Sequence, residues 1–296
     1  MRAIRAVVVG DLIDDIIVVP DGPVRPDTDT RARISRHEGG SAANTAAWMA
    51  SLGAPVDFVG CVGAGDGERH SAALSELGVT AHVSEHPSLS TGTIVIVVEA
   101  EQRTMLTDRG ANAAVSVDSV TDVLLARAGV LHLSGYSLVD AFSAADLGSL
   151  IDRAHGHGVL VSLDPGSAGF IVDYGVGAFR EALRGVDLLL PNLDEGVLLA
   201  GSTDDVRIVD SLLEISPTVV LTRGSASVLV GRRGRSTIEV TVGPMEVVDP
   251  TGAGDAFTAG VLSALLDGRE LEDAVRSGVH VASQAVTRSG ARPLRR

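Results

Sequence analysis

One cysteine, Cys61, stands in a chain of 296 residues, so no internal disulfide framework can form and a reducing compartment suits the protein. Between Gly60 and Val62, at a strand end, it reads as a buried structural thiol. Aromatic residues supply only 3% of the chain against 45% for all hydrophobic residues, so valine, alanine and leucine must fill the core. Acidic residues outnumber basic ones 38 to 24, for a net charge of −14. That balance excludes nucleic acid as the main partner, because a phosphate backbone needs a basic face. No run of about 18 apolar residues occurs, and the N-terminus enters a short strand rather than the long apolar segment of a signal peptide. The expectation is a soluble, cytoplasmic protein with no membrane partner. The motif G-x-x-x-x-G-K-[ST] is missing, which excludes a Walker-type site. Gly63-Ala64-Gly65-Asp66-Gly67 comes nearest to a dinucleotide fingerprint, but its third glycine falls one residue early.

What is present is an alternation. Short apolar runs at Ala6–Val9, Val56–Val59, Val130–Leu133, Val159–Leu163, Val186–Leu190 and Thr218–Thr222 alternate with helical patterns near Ala42–Leu52, Glu68–Leu77, Val120–Ala126, Ala144–His155 and Val206–Ile215. Buried strands separated by helices predict a three-layer α/β/α arrangement around a mostly parallel sheet. Ser227–Val230 and Thr237–Val242 read as an antiparallel hairpin at one edge, its arginines in a solvated turn. Residues 16–34 and 91–107 have no helix to cover them. They predict a small β-sheet over the carboxyl ends of the main strands, where ligands of α/β folds bind, and its uncovered face suits a partner subunit. His155-Gly156-His157 has no third ligand nearby and reads as solvent-facing.

The chemistry concentrates in Asp249-Pro250-Thr251-Gly252-Ala253-Gly254-Asp255, which runs straight into a helix-period apolar segment from Phe257. Small residues let the backbone turn tightly, leaving N–H groups of Gly252, Ala253 and Gly254 free to face an anion at a helix start. Asp255 beside that anion suits a base that takes a proton from an attacking hydroxyl. An N-cap aspartate after a flexible loop is the plainer alternative. A second segment, Glu38-Gly39-Gly40-Ser41-Ala42-Ala43-Asn44, brings two glycines into a helix whose first turns carry Asn44, an amide able to bond a sugar hydroxyl.

Together these two segments resemble the paired motifs of the ribokinase-like (PfkB) carbohydrate and nucleoside kinases, and the resemblance covers nearly the whole chain. It implies one ribokinase-like domain over 1–296, with a lid formed by about 11–37 and 90–110 that often doubles as a dimer contact. It implies transfer of the γ-phosphate of ATP to a hydroxymethyl group of a ribose- or fructose-like sugar. Asp15, five residues after Gly10, matches the family's sugar-binding aspartate, although Asp11 and Asp14 stand close enough to confuse the assignment. Asn192 and Glu195 match an Asn-x-x-Glu that helps hold Mg²⁺ near ATP, often through water; simple helix capping explains the same pair. Thr222 and Gly224 match a nucleotide-contacting loop, yet relatives carry a further glycine where Ala226 or Ser227 stands. Asp249, Thr251, Ala285, Arg288 and Gly290 match loops that bind a monovalent cation such as K⁺.

Two rival readings stay open. A nucleoside kinase of the same family needs a stacking platform, for which Tyr136, Phe170 and Trp48 are among the few candidates, Trp48 reading better as core. A non-catalytic sugar sensor would have little need to retain Asp255. Lid closure would bring Arg103 or Arg109 toward the cleft; surface ion pairing is the plainer reading of both.

Overall fold

Alternation along each strand decides the layers. In the computed structural model, which describes residues 4–99, 102–137 and 141–294, β1 (Arg5–Val9) sends Val7 and Val9 to one face and Ala6 and Val8 to the other. Val7 and Val9 belong to the core shared with helices Ala144–Gly156, Val176–Ala182, Leu193–Ala200 and Asp205–Leu213. Ala6 and Val8 belong to the core shared with helices Ser41–Ser51, Gly67–Glu76, Ala253–Leu266 and Leu271–Ala285. Two hydrophobic cores thus sandwich one sheet, the expected three layers.

Beside β1, the strands β4 (Val56–Gly63), β5 (Thr80–His86), β8 (Ala128–Ser134), β9 (Leu160–Asp164), β10 (Leu188–Leu189) and β11 (Thr218–Leu221) pair in parallel, and β12 (Val228–Arg232) and β13 (Ile238–Val240) add the antiparallel hairpin. The spatial order is β13-β12-β11-β10-β9-β8-β1-β4-β5. A second sheet, ordered β3-β2-β6-β7, holds β2 (Ile13–Pro20), β3 (Ala32–Gly39), β6 (Gly92–Glu99) and β7 (Gln102–Asp108).

Several boundaries differ from expectation. β5 was not foreseen, because an edge strand reading Thr-Ala-His-Val-Ser-Glu-His lacks the apolar run that marks its neighbours. β3 runs to Gly39 rather than stopping at 37, since its charged residues face solvent and conceal a strand. β10 shrinks to two residues, and the segment expected as helix from Val120 to Ala126 is helical over Asp122–Leu125 alone. Helix Leu271–Ala285 packs on Ala253–Leu266 backbone to backbone: a Cβ on Gly260 would lie 2.8 Å from the Gly278 Cα. Cys61 and Trp48 are buried as expected. His155 and His157 are exposed, with His155 bonded to Asp187 at 2.9 Å. No helix among the described residues is long and apolar enough to cross a membrane.

At the amino ends of the strands, fully buried Asp57 is gripped by Arg5, by Arg127 at 2.8 Å and by His82 at 2.8 Å. Removing the carboxylate strands these groups against each other. Asp57→Ala should therefore cost about 2–3 kcal/mol, below the usual range for a fully buried pair because both arginines reach solvent. Urea denaturation would measure that loss, and substrate KM values should stay unchanged because the cluster is remote from the cleft described next.

Candidate active site

The carboxyl ends of the main strands open into a cleft of about 550 Å³, walled by the small sheet through Ile94, Ile96, Met105 and Thr107. A depression of about 640 Å³ lies at the opposite, amino ends of β9, β10 and β11, near Val159, Leu188 and Thr218, and gathers none of the motif residues.

Asp255 sits in the first turn of helix Ala253–Leu266, capped by Gly252 in left-handed backbone at φ 77°. Glycine is required there twice over, since a Cβ would also come within 2.7 Å of the Ala291 backbone. The Ala253 N–H is already bonded to the Pro250 carbonyl at 3.2 Å, and the first intrahelical bond runs from Ala256 to Gly252. Ala253 thus closes the turn, while Gly252 and the amides of Gly254 and Asp255, which precede the helical ladder, lie at the cleft wall. Ser41 Oγ donates to Asp255 Oδ1 at 2.7 Å and Asn44 Nδ2 donates to Oδ2 at 2.9 Å. Burial outweighs these two bonds and pushes the Asp255 carboxyl up to about 7.

The three aspartates after β1 separate cleanly. Asp11 accepts from the Ser41 and Ala42 amides at 2.7 and 3.2 Å, so it caps helix Ser41–Ser51 from across the chain. Asp14 is held by both Arg69 nitrogens at 2.9 and 2.7 Å. Asp15 lines the cleft, packed over the bare Cα of Gly39, and burial pushes its carboxyl up to about 6 against the pull of Arg292. Gly40, at φ 99°, is the N-cap that turns β3 into the helix carrying Asn44.

Asn192 and Glu195 form a reciprocal capping box: Asn192 N and Nδ2 donate to Glu195 at 2.9 and 2.7 Å, and Glu195 N donates to Asn192 Oδ1 at 3.0 Å. Glu195 is nonetheless buried at the cleft, its carboxyl pushed up to about 7 by that burial. Asp164, which sequence reading missed, ends β9 at the same wall, and burial followed by the charge of Glu195 raises it well above the ordinary range. Its only signal was an Asp-Pro-Gly after an apolar strand. Thr222 lines the cleft; Gly224 turns just beyond it at φ 62°. Arg223 between them is tied to Asp205, Ser227 and Glu239.

The 249–251 and 285–290 loops are stitched together. Asp249 accepts from Thr251 at 3.0 and 2.6 Å and from Gly290 N at 3.1 Å, while Val248 and Asp249 amides donate to the Val286 carbonyl. Ala285 accepts from Arg288 N at 3.4 Å, and the Arg288 guanidinium lies over the Trp48 ring. Arg109 lines the cleft, donates to the Tyr136 carbonyl at 3.0 Å and covers the Tyr136 ring. The side chain of Arg103 lies outside the described residues.

A model of the pfkB family of carbohydrate kinases matches residues 3–295. A ribokinase of Haemophilus influenzae is 29% identical over 94% of this chain and 90% of its own length. An adenosine kinase structure from Sinorhizobium meliloti superposes with TM-score 0.86 at 28% identity, covering 99% of this chain and 96% of that one. An Arabidopsis thaliana ribokinase complexed with ribose and ATP gives TM-score 0.81 at 27% identity, covering 98% and 94%.

Raised carboxyls make folding favour the protonated form, so the stability linked to Asp255 is fully present below about pH 4 and is lost as the pH rises to about 7. Asp255→Asn removes that dependence. Its melting temperature should match the parent's near pH 4 and exceed it above pH 7, read by thermal scans across the interval.

Proposed function

Because the chain belongs to the pfkB family of carbohydrate kinases and is an ATP-dependent kinase of a sugar or nucleoside, we propose that it phosphorylates the hydroxymethyl group of a small ribose- or fructose-like sugar, with Asp255 as general base. The observation that carries this reading is the Asp255 carboxylate, two hydrogen bonds from neighbouring side chains holding it at a helix start with a proton affinity near neutrality. A base works best when its pKa lies near the operating pH. Phosphoryl transfer otherwise asks for positioning and charge stabilisation, which the amides at Gly254 and Asp255 and the helix dipole supply for phosphate oxygens.

Asp15 and Asn44 serve the sugar, and Asn192, Thr222 and the turn at Gly224 serve the nucleotide. Mg²⁺ fits Asp164 and Glu195, two buried carboxyls whose raised proton affinity marks a place where positive charge is wanted. Among the described residues no three His, Cys, Asp or Glu side chains cluster to enclose a metal, which agrees with an ion that leans on one or two carboxylates, waters and phosphates. When bound, it neutralises phosphate charge. The stitched loops at Asp249–Thr251 and Ala285–Gly290 support a K⁺ site, with Arg288 contributing through its backbone. The small sheet acts as a lid over the single domain, and exposed Ile34 and Leu106 on it support a homodimer. The lone buried cysteine supports a cytoplasmic location.

One observation favours a second reading, a nucleoside acceptor. Tyr136 and Phe170 form an edge-to-face pair at 5.5 Å inside the cleft, opposite the apolar strip of Ile94, Ile96 and Met105. That is the platform a base would stack on, placed there by a chain otherwise poor in aromatics.

ADP release with Mg-ATP against ribose, fructose, 2-keto-3-deoxygluconate, adenosine, inosine and pseudouridine separates the readings. Asp255→Ala should lose at least about 10²-fold in kcat while still binding ATP; near-parental turnover by that variant overturns the base assignment. Silence across the panel with ATP bound would favour a sensor. Replacing K⁺ by choline in the same assay should lower the rate several-fold, and an unchanged rate removes the monovalent cation.

A further inference from the structure

Beyond helix Leu271–Ala285 the chain returns to the cleft wall at Ala291 and places Arg292 against Asn44 and Gly39, a residue outside every motif that the sequence displays. Two anchors fix this return. Trp48 Nε1 donates to the Ala291 carbonyl at 2.8 Å, and the Ala291 backbone packs on the bare Cα of Gly252. From that footing Arg292 Nε donates to Asn44 Oδ1 at 3.1 Å and Nη2 donates to the Gly39 carbonyl at 2.9 Å. Asn44 Nδ2 in turn donates to Asp255 Oδ2 at 2.9 Å.

This guanidinium–amide–carboxylate chain has one possible sense. A guanidinium only donates and an ionised carboxylate only accepts, so the Asn44 oxygen must face Arg292 and its nitrogen must face Asp255. Without the guanidinium the amide is held through its nitrogen alone, by the bond to Asp255 Oδ2, and its orientation loosens. The charges around Arg292 are one-signed: Glu38 at the end of β3, Asp15 on β2, Asp11 after β1 and Asp255 on its helix all face it. His70, buried on helix Gly67–Glu76, also feels its field.

We propose that Arg292 is a positioning residue for phosphoryl transfer, locking the Asn44 amide so that Asp255 presents its carboxylate to the acceptor hydroxyl and balancing the charge of Asp15 beside it. The proposal rests on Asp255 acting as the base. It also accounts for Asp15: burial drives that carboxyl up, and Arg292 is the first group pulling it down; Arg292 faces Asp255 as well, so loss of the guanidinium raises both carboxyls and sends the acid limb of the rate profile to higher pH.

Arg292→Ala, Arg292→Lys and Asp255→Ala would be assayed side by side, varying acceptor and ATP separately from mildly acid to mildly alkaline pH. Arg292→Ala should lose about 10–100-fold in kcat/KM for the acceptor, keep the KM for ATP, shift its acid limb upward and recover part of its rate with added methylguanidinium. Arg292→Lys should keep the acid limb in place, because charge remains, yet stay slow, because an ammonium lacks the two-point fork. A parental kcat/KM in Arg292→Ala overturns the proposal, as does a loss that falls equally on ATP and ignores methylguanidinium. Should Arg292→Ala fail to fold, Arg292→Lys decides: a parental rate overturns the proposal, and a slow rate with an unmoved acid limb supports it. Failure of the base assignment is read separately, as turnover by Asp255→Ala that needs no methylguanidinium.

Discussion

The hydrogen bond from Asn44 to Asp255 is the contact on which the rest of the cleft depends. It joins the first turns of two helices, Ser41–Ser51 and Ala253–Leu266, whose residues lie 211 positions apart in the chain. Both helices begin at glycines with positive φ, Gly40 and Gly252, so their amino ends converge on one point without side chains in the way. Helix dipoles directed at the same place make it favourable to negative charge, and a carboxylate, rather than a bound anion alone, is what the sequence sets there.

Concentrating acid in that place has a cost. Asp11, Asp15, Asp164, Glu195 and Asp255 all line one cleft, and burial raises four of them. The fifth, Asp11, spends its charge on two helix amides. Local strain of this kind is offset by the two cores on either face of the sheet. On the proposed Mg²⁺ reading these carboxyls would gain from the cation that the phosphates bring, which favours their ionised form.

The parts of this arrangement legible in sequence are those that depend on neighbours along the chain. Gly252 to Asp255 and Gly39 to Asn44 announce themselves because turn, cap and helix follow one another within a few residues. The alternating apolar runs likewise reveal the sheet. Choosing among Asp11, Asp14 and Asp15 was beyond local pattern, since the partners that separate them, Ser41, Arg69 and Gly39, come from elsewhere. Asn112 is a similar case: its buried amide grips both the N–H and the carbonyl of Leu12 at 2.8 and 3.1 Å, steadying the loop between β1 and β2. Polar edge strands such as β5 and β3 carry no apolar signature at all. Arg292 sits in a stretch rich in arginine, which by composition alone reads as a solvated surface.

Gly39 and Gly40 carry a further meaning for how the molecule works over time. The last residue of a small-sheet strand and the cap of the helix bearing Ser41 and Asn44 are adjacent in the chain, so the small sheet and the Asp255 cradle meet at one pair of backbone residues. A displacement of the sheet about those residues would lever the helix start against Asp255. On the function proposed above, entry of an acceptor beneath the sheet and alignment of the carboxylate would then be one mechanical event.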